Sequence, residues 1–332
     1  MKNNGNASAL GIDVGTSRIC LARRNEERFQ FESQLNAFVH VPYSPITEGV
    51  LKKEKVPHTL RNGEIVVHGN ESGKLAELLG LDIRRTMSRG MLNPSEPESL
   101  NMLREMIAAM VGEPQGKTKI AFTVPAAPIG ASDSLTYHEE TLKQVLSGMG
   151  YEAQPVNEGL AVVYAELEAQ NFTGIGVSCG AGLCNVCLAY LAVPVIGFSI
   201  PQAGDYIDAS AASVTGERAN RIRLIKEDSF HFNGHFAEKT HQVLGVYHDV
   251  LIRSLVEKMA EAFGAAGKAA RLNRPLPVML SGGTSMPAGF RDRFEKILRE
   301  HEFPVEVSDV LMAPEPLHSA AKGALTAALT AP

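Results

Sequence analysis

The feature that most constrains this chain is a repeat. An apolar run, a short polar turn bearing glycine, a second apolar run and a third strand-like stretch occur twice, roughly 165 residues apart. In the first copy Ala9 to Ile12 is apolar, Asp13-Val14-Gly15-Thr16-Ser17-Arg18 forms the turn, and Ile19-Cys20-Leu21-Ala22 is apolar again. In the second, Thr173 to Val177 leads into Ser178-Cys179-Gly180-Ala181-Gly182-Leu183, and Asn185 to Leu191 leads out. Arg28 to Ser33 and Val195 to Ile200 follow as third strands. Each copy reads as an antiparallel meander with a polar tip.

The first tip carries chemistry as well as geometry. Its backbone N–H groups, with the hydroxyls of Thr16 and Ser17, suit an anion; Arg18 adds a fixed positive charge, and Asp13 could hold a hydrated cation. An Asp-x-Gly-Thr turn also occurs in ordinary hairpins, and Arg18 could equally be a solvated charge. With 332 residues there is length for two domains. Hydrophobic residues at 44%, charged residues at 21% and a mean hydropathy of −0.05 predict a soluble globular protein. A net charge of −5 and a pI near 6.1 argue against a nucleic-acid partner held by bulk electrostatics. There is no apolar run long enough for a membrane span, and Met1 to Ser8 is polar, unlike a signal peptide. Four cysteines, three crowded between 179 and 187, predict a reducing cytoplasm instead of a secreted disulfide framework.

Along the chain, residues 37 to 90 alternate short strands with turns before a helix near Gly73 to Leu79, which suggests a small inserted subdomain. Glu98 to Val111 reads as an amphipathic helix and Lys119 to Pro125 as a buried strand. A helix at Tyr137 to Gly148, a strand at Ala153 to Val156 and a helix opening at Asn157-Glu158-Gly159 and running to Ala169 follow. This order predicts an α/β domain with a mainly parallel sheet. In the second half, Gly204-Asp205 starts a helix, Leu244 to Phe263 is a long one, and Pro277 to Leu280 is a short buried strand. Ser281-Gly282-Gly283-Thr284-Ser285 is a glycine turn ahead of helices near Gly289 to His301 and Leu317 to Leu329.

Taken together these segments resemble the superfamily of actin, sugar kinases and heat-shock ATPases. Gly11 to Ser17 looks like its first phosphate loop, Ser178 to Asn185 like a worn second one, and Pro277 to Phe290 like its adenosine loop. Thr123-Val124-Pro125 and Asn157-Glu158-Gly159-Leu160-Ala161 resemble the connecting segment, and Glu217-Arg218-Ala219-Asn220-Arg221 the adenine-side helix. Arg89-Gly90-Met91 and Val67 to Ser72 resemble the bacterial MreB-like branch. The resemblance implies an α/β fold of two duplicated ribonuclease-H-like domains. Domain I would span 9–160 plus 314–330, with the small subdomain at about 33–90 inserted, and domain II would span 161–313. The stretch from Asp208 to Leu244 is too short for a full outer subdomain on domain II, so that subdomain is expected to be reduced or absent and the cleft left open.

The resemblance also implies ATP or ADP with Mg²⁺ as ligands. Asp13 would hold the metal, and Asp13, Glu158 and Glu139 would be the catalytic carboxylates, with a one-residue ambiguity between His138 and Glu139. Nucleotide would meet Gly15, Thr16, Ser17, Arg18, Ser178, Gly180, Gly182, Gly204, Asp205, Glu217, Asn220, Arg221, Gly282, Gly283, Thr284 and Met286. The second loop departs from the family pattern: Ser178 and Asn185 stand where two carboxylates help to hold Mg²⁺, and Leu183 replaces a threonine. Binding in the micromolar range, about −8 kcal/mol, is therefore expected to survive better than hydrolysis, and restoring both carboxylates to raise turnover.

Two functions remain open at this point: a cytoplasmic cytoskeletal filament of the chain with itself, or a monomeric module acting on an unidentified protein partner. No nucleic acid, membrane anchor or C-terminal substrate domain is expected. If filaments form, the contact should use the 33–90 subdomain and the exposed-looking phenylalanines Phe230, Phe232 and Phe236. Other patterns have plainer readings. Cys179, Cys184 and Cys187, with Cys20, have iron–sulfur-like spacing but lie in or beside strands that must pack. His231, His235, His241 and His248 could bind metal, but a scatter of histidines reads more simply as surface. Met91, Met102, Met106 and Met110 read as core filling, and Glu217 with Arg221 could be only a helix-surface ion pair.

Overall fold

Two apolar runs joined by a tight glycine turn produce the first hairpin of a meander. The computed structural model describes residues 9–330 apart from 27, 130–134, 233–235, 237 and 268–273. In it β1 (Ala9–Val14), β2 (Arg18–Asn25) and β3 (Arg28–Leu35) are antiparallel neighbours. The small subdomain follows: β4 (Ala37–Pro42), α1 (Pro45–Lys53), β5 (His58–Arg61), β6 (Glu64–His68), α2 (Asn70–Leu79) and β7 (Arg84–Arg85). Its four strands run in the order β5-β6-β4-β7 over a core of Val39, Leu51, Ile65, Val67 and Ala76. Sequence patterning misses α1, although its start is marked: Ser44 caps the helix by accepting the Thr47 N–H, and Pro45 fills the first position, where its missing N–H is not needed.

A two-stranded hairpin of β8 (Met87–Ser88) and β9 (Met91–Leu92) leads to α3 (Ser99–Val111), β10 (Lys119–Val124), α4 (Thr136–Gly148), β11 (Glu152–Asn157) and α5 (Glu158–Glu166). β10 and β11 join β1 in parallel, completing the order β11-β10-β1-β2-β3. Met102, Met106 and Met110 on α3 are buried in this half's core, as the core-filling reading expects. α5 stops at Glu166, short of Ala169, and gives way to a single turn of 3₁₀ helix at Glu168–Gln170.

The second half repeats the plan. β12 (Gly174–Cys179), β13 (Cys184–Tyr190) and β14 (Val193–Ile200) form the meander. Then come α6 (Gly204–Thr215), α7 (Ala219–Asp228), α8 (Lys239–Ala266), β15 (Leu276–Ser281), α9 (Phe290–Glu300), β16 (Val307–Met312) and α10 (Ser319–Thr330). The sheet order β14-β13-β12-β15-β16 matches the first, with β15 and β16 parallel to β12. β16 has no counterpart in the sequence reading. Among the described residues between β14 and α8 there are two helices and no strand, so the outer subdomain is reduced to α6 and α7.

Glycine lets these layers approach. A Cβ on Gly11 of β1 would lie 2.2 Å from the Ala321 carbonyl of α10, and one on the equivalent Gly176 of β12 would lie 2.3 Å from the Gly159 carbonyl of α5. α5 and α10 meet each other at Gly323, where a Cβ would come within 1.7 Å of the Ala161 carbonyl. Two five-stranded sheets thus sandwich a central helix pair, and both polar tips emerge at the same end. The phenylalanines expected at the surface are instead covered, one fully and two in part. Phe230 is buried and Phe232 and Phe236 pack against the second core, with Phe230 stacked 4.6 Å from His248, which is itself fully buried. A short segment can be covered when it lies across long α8, which sequence length alone does not reveal.

Candidate functional site

The two tips share one backbone geometry. The Gly15 N–H donates to the Arg18 carbonyl at 2.9 Å, and the Gly180 N–H to the Leu183 carbonyl at 3.0 Å. A Cβ on either glycine would sit 2.9 Å from that same carbonyl oxygen, so both turns need glycine there. The first tip is tied back by buried Asn36, whose backbone N–H donates to Ser17 O at 2.8 Å and whose Nδ2 donates to Gly15 O at 2.9 Å. The second is tied back by other elements. Gly180 O accepts Thr284 Oγ1–H at 2.8 Å and the Gly204 N–H at 3.1 Å, while Ala181 O accepts the Asp205 N–H at 2.8 Å. The tips also touch: Gly90 N–H donates to Thr16 Oγ1 at 2.9 Å, and a Cβ on Gly182 would lie 2.3 Å from that oxygen.

Behind the tips lies a cavity of about 580 Å³. Asp13, Gly15, Thr16, Ser17, Arg18, Glu158, Ser178, Gly180, Gly182, Asp205, Gly282, Gly283, Thr284 and Met286 all line it. Gly204 stands immediately behind, its carbonyl accepting Lys226 Nζ at 3.2 Å. The floor is acidic. Asp13 accepts the Thr123 hydroxyl, yet burial outweighs that bond and pushes its carboxyl up to about 6. Glu158 opens α5, where Asn157 caps the helix by accepting the Leu160 N–H at 3.1 Å. Burial and the neighbouring Asp13 charge push Glu158 up to about 8, against the lowering effect of the Ser178 hydrogen bond.

The opposite wall comes from α7, whose start the adenine-side motif marked but whose cavity-facing residues it did not. Lys226 pairs with Asp208 at 2.7 Å, both side chains buried, and Glu227 lies between Arg18 at 3.5 Å and Arg223 at 3.1 Å. Arg223, Lys226 and Glu227 take the inward positions because α7 begins only at Ala219 and turns that face to the cavity late. Glu217, Asn220 and Arg221 consequently lie outside it, along a separate groove between α2 and α7. There Arg221 meets Glu77 at 3.3 Å, Arg218 donates to the Gly80 carbonyl at 3.3 Å, and Arg85 meets Asp205 at 2.7 Å. These contacts overturn the expectation of an open cleft: the small subdomain reaches α6 and α7 directly.

Glu139 is also absent from the cavity lining. The inward face of α4 carries His138, Leu142, Val145 and Leu146, which turns Glu139 away. His138 is buried with both ring nitrogens unpartnered, and desolvation brings it down to about 4. His231 lines the cavity, while His241 lies 3.0 Å from Ser229 Oγ and 3.3 Å from Glu238. His235 falls outside the described residues. The four cysteines are buried free thiols, and among the described residues no three histidine, cysteine or acidic side chains gather to hold a metal.

The profile of the family described as Volactin matches residues 8–328. The chain belongs to the volactin family. No curated protein matches it. Among solved structures, this volactin-family chain resembles the MamK double helical filament with a TM-score of 0.72 and 19% identity, over 98% of this chain and 99% of that one. A non-polymerising MamK mutant bound to AMPPNP matches with a TM-score of 0.56 and 19% identity, over 97% and 99% of the two chains. The ethanolamine utilization protein EutJ from Carboxydothermus hydrogenoformans matches with a TM-score of 0.57 and 18% identity, over 98% and 92%. The fold is therefore that of the two-domain actin-like ATPases. No helix among the described residues is long and apolar enough to cross a membrane.

Proposed function

We propose that the chain binds an adenine nucleotide with Mg²⁺ between its two tips and assembles head to tail into cytoplasmic filaments. The observation that carries this reading is the pair of matching glycine turns, with the Gly282–Thr284 turn, around one cavity of about 580 Å³. With the tip carbonyls tied back, tip N–H groups and Arg18 remain to meet phosphate oxygens. Asp13 and Glu158 fit a hydrated divalent cation: two carboxylates face one cavity, burial raises both, and the Asp13 charge raises Glu158 further. Such an ion, held through Asp13, would neutralise charge between the β- and γ-phosphates. Domain boundaries at 160 and 313 suit this site, since α10 then returns to the first sheet.

Self-assembly is supported by the likeness to a filament-forming fold neighbour. A head-to-tail contact is heterologous and leaves complementary faces at opposite ends of the protomer. With Phe230 buried and Phe232 and Phe236 packed against the second core, the candidate faces are Tyr43, Ile46 and Val50 on the small subdomain, Ile46 being 80% exposed, and the β13–β14 turn with Tyr190, Leu191 and Val193. The turn lies at the far end of its hairpin from the polar tip. Pelleting with and without Mg·ATP tests the reading, and Leu191→Ser with Val193→Ser should abolish it while leaving nucleotide binding intact. A protein that stays monomeric by light scattering with Mg·ATP would move the reading to a partner-directed module.

A further inference from the structure

The second tip departs most from its duplicate, and its two altered side chains have a shared target. Ser178 and Asn185 are direct cross-strand neighbours on β12 and β13, and they are 3% and 1% exposed. Ser178 Oγ–H donates to Glu158 Oε1 at 2.7 Å, and Asn185 Nδ2–H donates to Glu158 Oε2 at 2.7 Å. The Asn185 amide cannot turn over without loss. Its Oδ1 accepts the Ala126 N–H at 2.9 Å, and since a backbone N–H only donates, the NH₂ end must face Glu158. Glu158 is thus held at its backbone by the helix start and at both oxygens by uncharged donors.

We propose that Ser178 and Asn185 are positioning residues that hold the Glu158 carboxylate to accept a proton from the water attacking the terminal phosphate of a bound nucleoside triphosphate. This rests on the nucleotide reading above. In the step, the water oxygen bonds to the γ-phosphorus and the bond to the β–γ bridging oxygen breaks. Its electron pair leaves on the nucleoside diphosphate, and the water proton passes to Glu158 and on to solvent. With one neutral donor on each oxygen, the carboxylate is fixed in orientation on the wall of the cavity, where a positioned proton acceptor is needed. Aspartate at either position would remove a donor and set a further carboxylate beside Asp13 and Glu158. The two residues are then a working alternative to the family's carboxylates, and restoring those carboxylates should harm the site.

Phosphate release with Mg·ATP tests this on the whole chain. Asn185→Asp and Ser178→Ala should each lower kcat by about tenfold or more with KM within about twofold, and Ser178→Thr should recover most of the loss. The double variant Ser178→Asp with Asn185→Asp should do no better than Asn185→Asp. AMPPNP affinity and melting temperature near wild type separate lost positioning from lost folding. Higher turnover in the double variant, unchanged kcat in the single ones, or a kcat that falls only in step with melting temperature would overturn the proposal. A wild-type chain that binds Mg·ATP and releases no phosphate overturns it too, leaving nucleotide binding standing. One that binds no nucleotide overturns the nucleotide reading itself, and the positioning role falls with it.

Discussion

The first and second tips are one backbone used for two chemistries. Both close with the same glycine-to-carbonyl hydrogen bond, both have their carbonyls tied back, and Asp13 and Ser178 occupy the same register one residue before the end of their strands. Across the hairpin, however, Asp13 faces Cys20, whose thiol burial and the Asp13 charge keep protonated, while Ser178 faces Asn185. The first tip brings a carboxylate to the cavity with Arg18 beside it; the second turns neutral donors on Glu158. Duplication preserves what the backbone demands, the glycines and the register, and leaves the facing side chains free to diverge because they answer only to the cavity.

The comparison can be broken most severely through packing. Gly11→Val and Gly176→Val each drive a side chain into helix backbone at about 2.2 and 2.3 Å, and each should cost about 3 kcal/mol or more in chemical denaturation. A variant tolerated on one side only would show that the halves do not pack alike. Next comes the ligand: Asp13→Ala should weaken Mg·ATP binding by about 100-fold, roughly 2.7 kcal/mol, whereas Ser178→Ala should stay within about threefold by calorimetry. Equal losses would erase the distinction between the tips. Arg18→Leu, which gives the first tip the residue found at the second, should cost about tenfold for ATP and less for adenosine, an effect that shrinks in high salt.

The smallest effect is on pH. Asp13 and Glu158 sit at about 6 and about 8 in the folded chain, above the ordinary 3.8 and 4.5. For acids raised on folding, their contribution to stability is full below about pH 4 and is lost as pH rises through 6 and 8. Buried His138 and His248, at about 4 and about 3 against an ordinary 6.5, act oppositely: their contribution is full above 6.5 and is lost as pH falls. The nucleotide-free protein should therefore lose about 2–4 °C in melting temperature between pH 6 and 8, and Glu158→Gln should flatten that slope. A slope unchanged in the variant would remove Glu158 from the account.

Much of this was legible in the residues. The repeat, both meanders, the glycine turns and the acid at Asp13 follow from short apolar runs and turn chemistry, which are local and survive any tertiary arrangement. Asn157-Glu158-Gly159 marked a capped helix start, and it carries the buried carboxylate. The sequence also foresaw the reduced outer subdomain, from length alone. Tertiary structure decided the rest. Whether Glu217 or Lys226 meets the cavity depends on where α7 begins and how it is rotated, and the choice of His138 over Glu139 for the interior depends on how α4 lies on its sheet. The joining of Ser178 and Asn185 on one carboxylate, the packing of Phe232 and Phe236 against α8, and the small subdomain's reach to α6 and α7 all bring together residues distant in the chain. Such contacts are set by how helices and sheets cross, and no local pattern encodes that crossing.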